Sequence, residues 1–176
     1  MTATEFVEKI KSFAATKADF TNVDFPEEFA EMLAKGYTYS SIGKIKNSSN
    51  EIVNLISNYD MSAIEIGMIS FDKEITENEG YIFFGKLELD LLAISKTNNE
   101  IVIIDYSDKD TIMQYCAAKS SKFLDALIVA WEAMTQFLLD EEKAEDEEYR
   151  EAVIANCTEL AGGEHYFDFY NYLLGD

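Results

Sequence analysis

Three β-type runs in close succession constrain this chain most. Tyr81–Phe84, Leu89–Ser95 and Glu100–Tyr106 are joined by short polar turns, and they lead into an amphipathic helix opening at Ser120 and Ser121. No helix-length segment separates the runs, so neighbouring strands must run antiparallel. Asn98 and Asn99 suit a hairpin, because asparagine tolerates the left-handed backbone that tight turns need. Asn78, Glu79 and Gly80 form a second turn signal. Ile64, Ile66 and Met68 alternate with Glu65 and Gly67 at strand spacing, and Ile112–Cys116 is a weaker strand. The expected class is α+β: a mainly antiparallel sheet of about four to six strands with helices packed around it, followed by a C-terminal helical extension.

Helical spacing frames the sheet. Phe6, Ile10 and Phe13 share a face in 4–16, and Thr2 with Glu5 has capping-box form. Pro26–Lys35 is a second helix, with Asp24 to cap it, Phe29, Met32 and Leu33 as its buried side, and Gly36 at its end. Ser48 and Glu51 open a third over 50–58, with a stripe of Ile52, Leu55, Ile56 and Tyr59. Ser120–Leu139 carries Phe123, Leu124, Leu127, Ile128, Trp131, Met134 and Leu138 on one broad face. An acidic run follows at 141–151. The apolar pattern resumes at Val153, Ile154, Cys157 and Leu160. Gly162 and Gly163 then break the chain before an aromatic helix over 164–174. The expected organisation is one domain over 1–140 with an acidic and aromatic extension, 141–176, packed on it. Leu91, Ile101, Ile103, Leu127 and Trp131 are the expected core.

Chemistry is hard to place on these residues. The chain has one histidine, His165, and a serine or cysteine nucleophile needs a base held beside it. His165 follows the glycine pair at the start of a short helix, where a solvent-touching structural role is the simpler reading. Cys116 and Cys157 are too few and too far apart for a zinc site or a disulfide framework, and both sit in apolar surroundings. Counting a calcium loop from Asp105 puts Asp110 where glycine is required, and counting from Glu74 puts Glu79 there. Paired carboxylates for glycoside chemistry carry no signal among so many acids. No phosphate-binding loop is present. The expectation is no catalysis, no cofactor and no metal.

Charge narrows the partner. The 176 residues contain 34 acids against 14 bases, a formal net charge of −20. Such a surface is repelled by phosphate backbones and anionic headgroups, so neither nucleic acid nor membrane is an expected partner. The start, Met1 to Glu5, has no basic or apolar leader character, and Asp125 and Glu132 interrupt the longest apolar run. A cytoplasmic protein is expected. A basic protein fits the acidity, because complementary fields speed encounter.

The order of motifs also resembles a known family. The Pro26–Phe29 helix start, Leu89–Ile94, the polar turn, Glu100–Asp105 and the Ser121–Leu127 helix are similar to the SUKH superfamily. That superfamily holds the yeast cell-wall (glucan) synthesis regulator and many bacterial toxin-immunity proteins. The resemblance runs from about Phe25 to Ala133. Where the family often has Asn-Gly-Gly after the second helix, this chain has Lys35, Gly36 and Tyr37. The resemblance implies a non-catalytic interaction protein with helices around a sheet. Three functions follow as expectations: an immunity protein neutralising a basic toxin, a regulatory module of the wall-synthesis kind, or an unrecognised small hydrolase. For the first two, the candidate partner-binding residues lie at strand ends and adjoining loops: Asp72, Glu74, Glu77, Glu79, Asp105, Asp108 and Asp110, with Tyr81 and Tyr106 as aromatic anchors. The oligomeric state stays open.

Overall fold

The Thr2 hydroxyl accepts from the Glu5 amide while the Glu5 carboxylate accepts from the Thr2 amide at 2.7 Å. This capping box starts helix α1 (Ala3–Phe13) in a computed structural model that describes residues 1–43 and 47–175. Thr16 and Asp19 form a second box and start a short helix that the sequence did not announce, α2 (Lys17–Asn22). Helix α3 (Glu27–Lys35) follows Pro26, while Asp24 lies in the left-handed region and does not cap it. Phe29 and Met32, expected inside, are 40% and 57% exposed, and Ala30 is the buried residue of α3. The physical reason is local. The helix packs chiefly on α2, through Ala30 against Phe20, and needs only a narrow contact. Helix α4 (Glu51–Asn58) is capped by Asn50, which accepts from the Ile52 and Val53 amides. The expected Ser48–Glu51 box does not form. The Glu51 carboxylate instead accepts from the Ala3 amide at 2.9 Å and ties α4 to α1.

Two strands, β1 (Ser40–Ser41) and β2 (Tyr59–Asp60), make a small ribbon. The main sheet has six strands in sequence order: β3 (Glu65–Ile66), β4 (Ile69–Glu77), β5 (Tyr81–Leu87), β6 (Asp90–Ser95), β7 (Ile101–Ile104) and β8 (Ile112–Ala117). Every pair is antiparallel, and the sheet curls. The fold is therefore α+β. Register shifts in β4–β5, β5–β6 and β7–β8 add the bends that curling requires. The largest lies between Phe71 and Thr76, where 72–75 arch away opposite Phe84 alone. Gly85 permits the close approach beside it, since a Cβ there would sit 2.3 Å from the Ser70 carbonyl oxygen. The segment from Asp72, expected at a strand end and its adjoining loop, is thus largely the outer half of a nine-residue strand.

One face of the sheet presents Phe84, Leu92, Ile94, Ile101 and Ile103 to helix α5 (Ser120–Leu139). Phe84 and Phe123 meet edge to face at 6.0 Å. Helices α6 (Glu141–Glu145), α7 (Glu147–Ala161) and α8 (Phe167–Leu174) complete the chain. Val153, Ile154, Cys157, Phe169, Tyr170 and Leu173 join the same buried cluster, so the C-terminal helices are part of the main core; Asp176 lies outside the described residues. Gly162 and Gly163 turn the chain at φ 130° and 114°, a region closed to other residues without strain. The opposite face of the sheet buries Phe83, Ala93, Val102 and Ile104. Leu91, expected in the core beneath α5, is half-buried on that second face.

Candidate functional site

A meander places alternate turns at the same end of the sheet. Ile66 pairs with Ile69, Leu87 with Asp90, and Ile104 with Ile112, so 67–68, 88–89 and 105–111 share one end. We call this the near end. The turns at 78–80 and 96–100 share the far end, about 20 Å away across the seven-residue β5. The nine sequence candidates are therefore divided. Asp105, Tyr106, Asp108 and Asp110 come together at the near end. Glu77, Glu79 and Tyr81 lie at the far end. Asp72 and Glu74 lie on the arch of β4 between the two.

The far end has its charge partly compensated. The Lys96 ammonium lies 2.6 Å from the Glu77 carboxylate and donates to the Asn78 carbonyl at 2.6 Å. Asn78 also accepts from the Gly80 and Tyr81 amides. Tyr81 is half-buried against Phe83. Beside the arch, Lys73 approaches Asp60 at 3.9 Å. Glu77 and Lys73 are thus engaged with neighbours, while Asp72, Glu74 and Glu79 make no side-chain hydrogen bond or ion pair among the described residues.

The near end is built differently. Asp105 Oδ1 accepts from the Ser107 amide at 2.7 Å, the Ser107 hydroxyl at 2.7 Å and the Asp108 amide at 3.2 Å. Asp108 in turn accepts from the Asp110 amide at 3.2 Å and the Thr111 hydroxyl at 2.8 Å. Two acids thus hold the loop from within, leaving Asp110 exposed with no hydrogen bond or ion pair from its side chain among the described residues. The loop's one base, Lys109, turns back so that its ammonium lies 5.5 Å from the centre of the Phe83 ring. The outward charge is therefore acidic. Tyr106 is 59% exposed, and its amide donates to Asp90 Oδ1 at 3.2 Å. That bond draws the 88–89 turn alongside. There Leu89 is 72% exposed, and Glu88 sits at φ 54°, a conformation uncommon for glutamate. The link expected over 85–88 is shorter and later: the first strand runs on through Leu87 and the next begins at Asp90, because Gly85, Lys86 and Leu87 still pair with Leu92, Leu91 and Asp90.

The hydrogen bonds to Asp105 hold its carboxyl below the ordinary aspartate value, with the Ser107 hydroxyl as the largest cause and the Ser107 amide next. A depressed folded value means the bonds are fully in place above the unfolded value and are lost as pH falls through the depressed one. Amide exchange at Ser107 and Asp108 should therefore accelerate on acidification below the usual carboxylate range, and Asp105→Asn should remove that dependence. Exchange that ignores pH there, after correction for its intrinsic rate, would show the loop is held by something else.

The remaining chemistry is accounted for by structure. Burial pushes the Cys157 thiol up to about 12 and raises that of Cys116, so neither offers a thiolate at neutral pH. His165 is largely exposed, with its ring 4.5 Å from that of Tyr115 and Nε2 3.9 Å from the Glu100 carboxylate. Tyr166 donates to the same carboxylate at 2.9 Å, and burial first, then that bond, push its hydroxyl up to about 12. This group of contacts fastens the C-terminal helices to the far end. Among the described residues no three histidine, cysteine or acidic side chains are grouped to hold a metal ion, and no helix is long and apolar enough to cross a membrane. Comparison with protein-family models, curated proteins and solved structures found no match to this chain.

Proposed function

We propose that this chain is a non-enzymatic protein-binding module whose near sheet end receives a basic protein. In the reading favoured here it is an immunity protein that neutralises a basic toxin domain. The observation that carries the proposal is the near end itself. A loop stiffened by its own acids displays Tyr106 and Leu89 beside Asp110, Glu88 and Asp90. Exposed anchors inside a charged rim are what a protein interface uses: the anchors set how long a partner stays, and the rim sets how fast it arrives. Pre-ordering of the loop lowers the cost of binding, because little of it must be fixed on contact. The net charge of −20 supports a basic partner. The SUKH resemblance supports an interaction protein of either the immunity or the regulatory kind, and the acid excess favours the immunity reading.

The test is kinetic. A partner recovered from lysate of the native organism is mixed with the protein at low and high salt. Association should slow as salt rises, because the rim charges are exposed and screened. Reversing Glu88 and Asp110 to lysine should slow association about tenfold at low salt and leave the release rate nearly unchanged. Both residues are exposed and spared from holding the loop. An association rate indifferent to salt and to both reversals would reduce the acidity to a solubility device.

A further inference from the structure

We propose that the cavity enclosed by α3, β3 and the C-terminal half of α5 receives an arginine or lysine side chain of the basic partner, with Glu65 as its counter-ion. The cavity is about 200 Å³. Trp131 is on its lining but is buried, with Tyr37 stacked on its ring at 5.2 Å and 11° and Phe13 edge to face with it at 5.5 Å. Phe20 stands behind Tyr37, and Met134 and Leu138 make the α5 wall. Inside, the polar atoms are already used. Thr135 donates to the Trp131 carbonyl at 2.9 Å, so the 2.6 Å contact between Tyr37 and Thr135 has the tyrosine as donor. No cation lines the cavity, and nothing in it would welcome an anion.

One charge stands on the lining, the exposed carboxylate of Glu65. Its side chain makes no hydrogen bond or ion pair among the described residues. A mainly apolar slot with a free acid on its lining suits a side chain that has an apolar stem and a cationic end. An acidic anchor would be repelled by Glu65, and a purely apolar one would gain nothing from it. Met32, 57% exposed, and Leu138, 41% exposed, form an apolar lip around the slot, the kind of surface a docked protein covers.

Position links the cavity to the near end. Glu65 and Gly67 belong to the β3–β4 hairpin, and the Glu88 amide donates to the Met68 carbonyl at 2.9 Å. The cavity thus opens on the flank of the same end that carries Glu88, Asp90 and the 105–111 loop. The slot lies at the β3 edge and the 105–111 loop at the β7–β8 edge, about four strand spacings or ~19 Å apart, which a partner of ordinary interface size spans. The inference rests on the reading of that end as the docking site for a basic protein, and its test needs no partner.

Trp131 is the single tryptophan of the chain, so its emission reports on the slot. The protein is titrated with the N-acetyl methylamides of arginine, lysine and norleucine, the last being lysine's stem without its charge. A saturable change in emission is expected for arginine or lysine, with norleucine about fivefold weaker or more. Glu65→Gln should bring the cationic probes down to the level of norleucine and leave norleucine unaltered. The melting temperature of the variant confirms its fold. Equal binding of norleucine, an unchanged affinity in Glu65→Gln, or no saturable response to either cation would each overturn the assignment. Refusal by the slot leaves loop docking standing, whereas a partner that ignores salt overturns loop docking without altering these titrations.

Discussion

Leu127→Ala is expected to lower the free energy of unfolding by about 2–5 kcal/mol, read from the denaturant midpoint at constant slope. Leu127 is fully buried on α5. The sheet lies on one side of this helix and α7 on another, with Phe84, Phe123 and Phe169 in a continuous aromatic contact nearby. Truncation removes the transfer energy of the lost carbons and leaves a hole that such walls cannot readily close. The same helix supplies a control. Leu138→Ala removes a side chain that is 41% exposed, and should cost well under half as much. A loss below about half a kcal/mol for Leu127→Ala would mean that α5 does not pack on the sheet as described.

Tyr106→Ala should shorten the lifetime of the complex about thirtyfold, near 2 kcal/mol, with little effect on its rate of formation. The bond from its amide to Asp90 fixes the backbone at Tyr106, and the ring is 59% exposed. An aromatic on a fixed backbone, with only two side-chain torsions to order, contributes a large contact area at small entropic cost. Tyr106→Phe separates the ring from the hydroxyl: it should keep most of the lifetime if area is what matters. Release rates identical in the wild type and Tyr106→Ala would move the interface away from the near end.

The parts of the fold that were legible in the sequence are those where local chemistry and tertiary demand agree. The Thr2–Glu5 box forms as its spacing dictates, Asn99 takes the left-handed backbone of its turn at φ 64°, and the apolar period of 120–139 gives one continuous helix. Strand β4 was hidden because Asp72, Lys73 and Glu74 arch out of register and so show no alternation. Helix α2 was hidden because six residues carry less than two turns of pattern. Phe29 and Met32 mislead because an apolar stripe predicts burial only where a second surface exists to receive it. The candidate site was half legible. Acids at turns are visible in a sequence, but a meander sends successive turns to opposite ends. The turn expected over 85–88 falls instead at Glu88 and Leu89, neither of which is typical of one, so the exposed Leu89 was read as the first residue of a strand.

Strand pairing here runs only between sequence neighbours, and the near end is made of the short links between them. Register is anchored by residues buried on both faces of the sheet, such as Ile101 and Val102, and not by the links. The links are thus free to vary. Substitutions at Glu88, Leu89, Tyr106 or Asp110 redraw the surface of that end without asking any strand to shift, provided Asp105, Ser107 and Asp108 keep the loop in shape. A scaffold organised in this way can follow a changing counterpart, or diverge into a set of sister proteins with separate targets, while the interior stays the same.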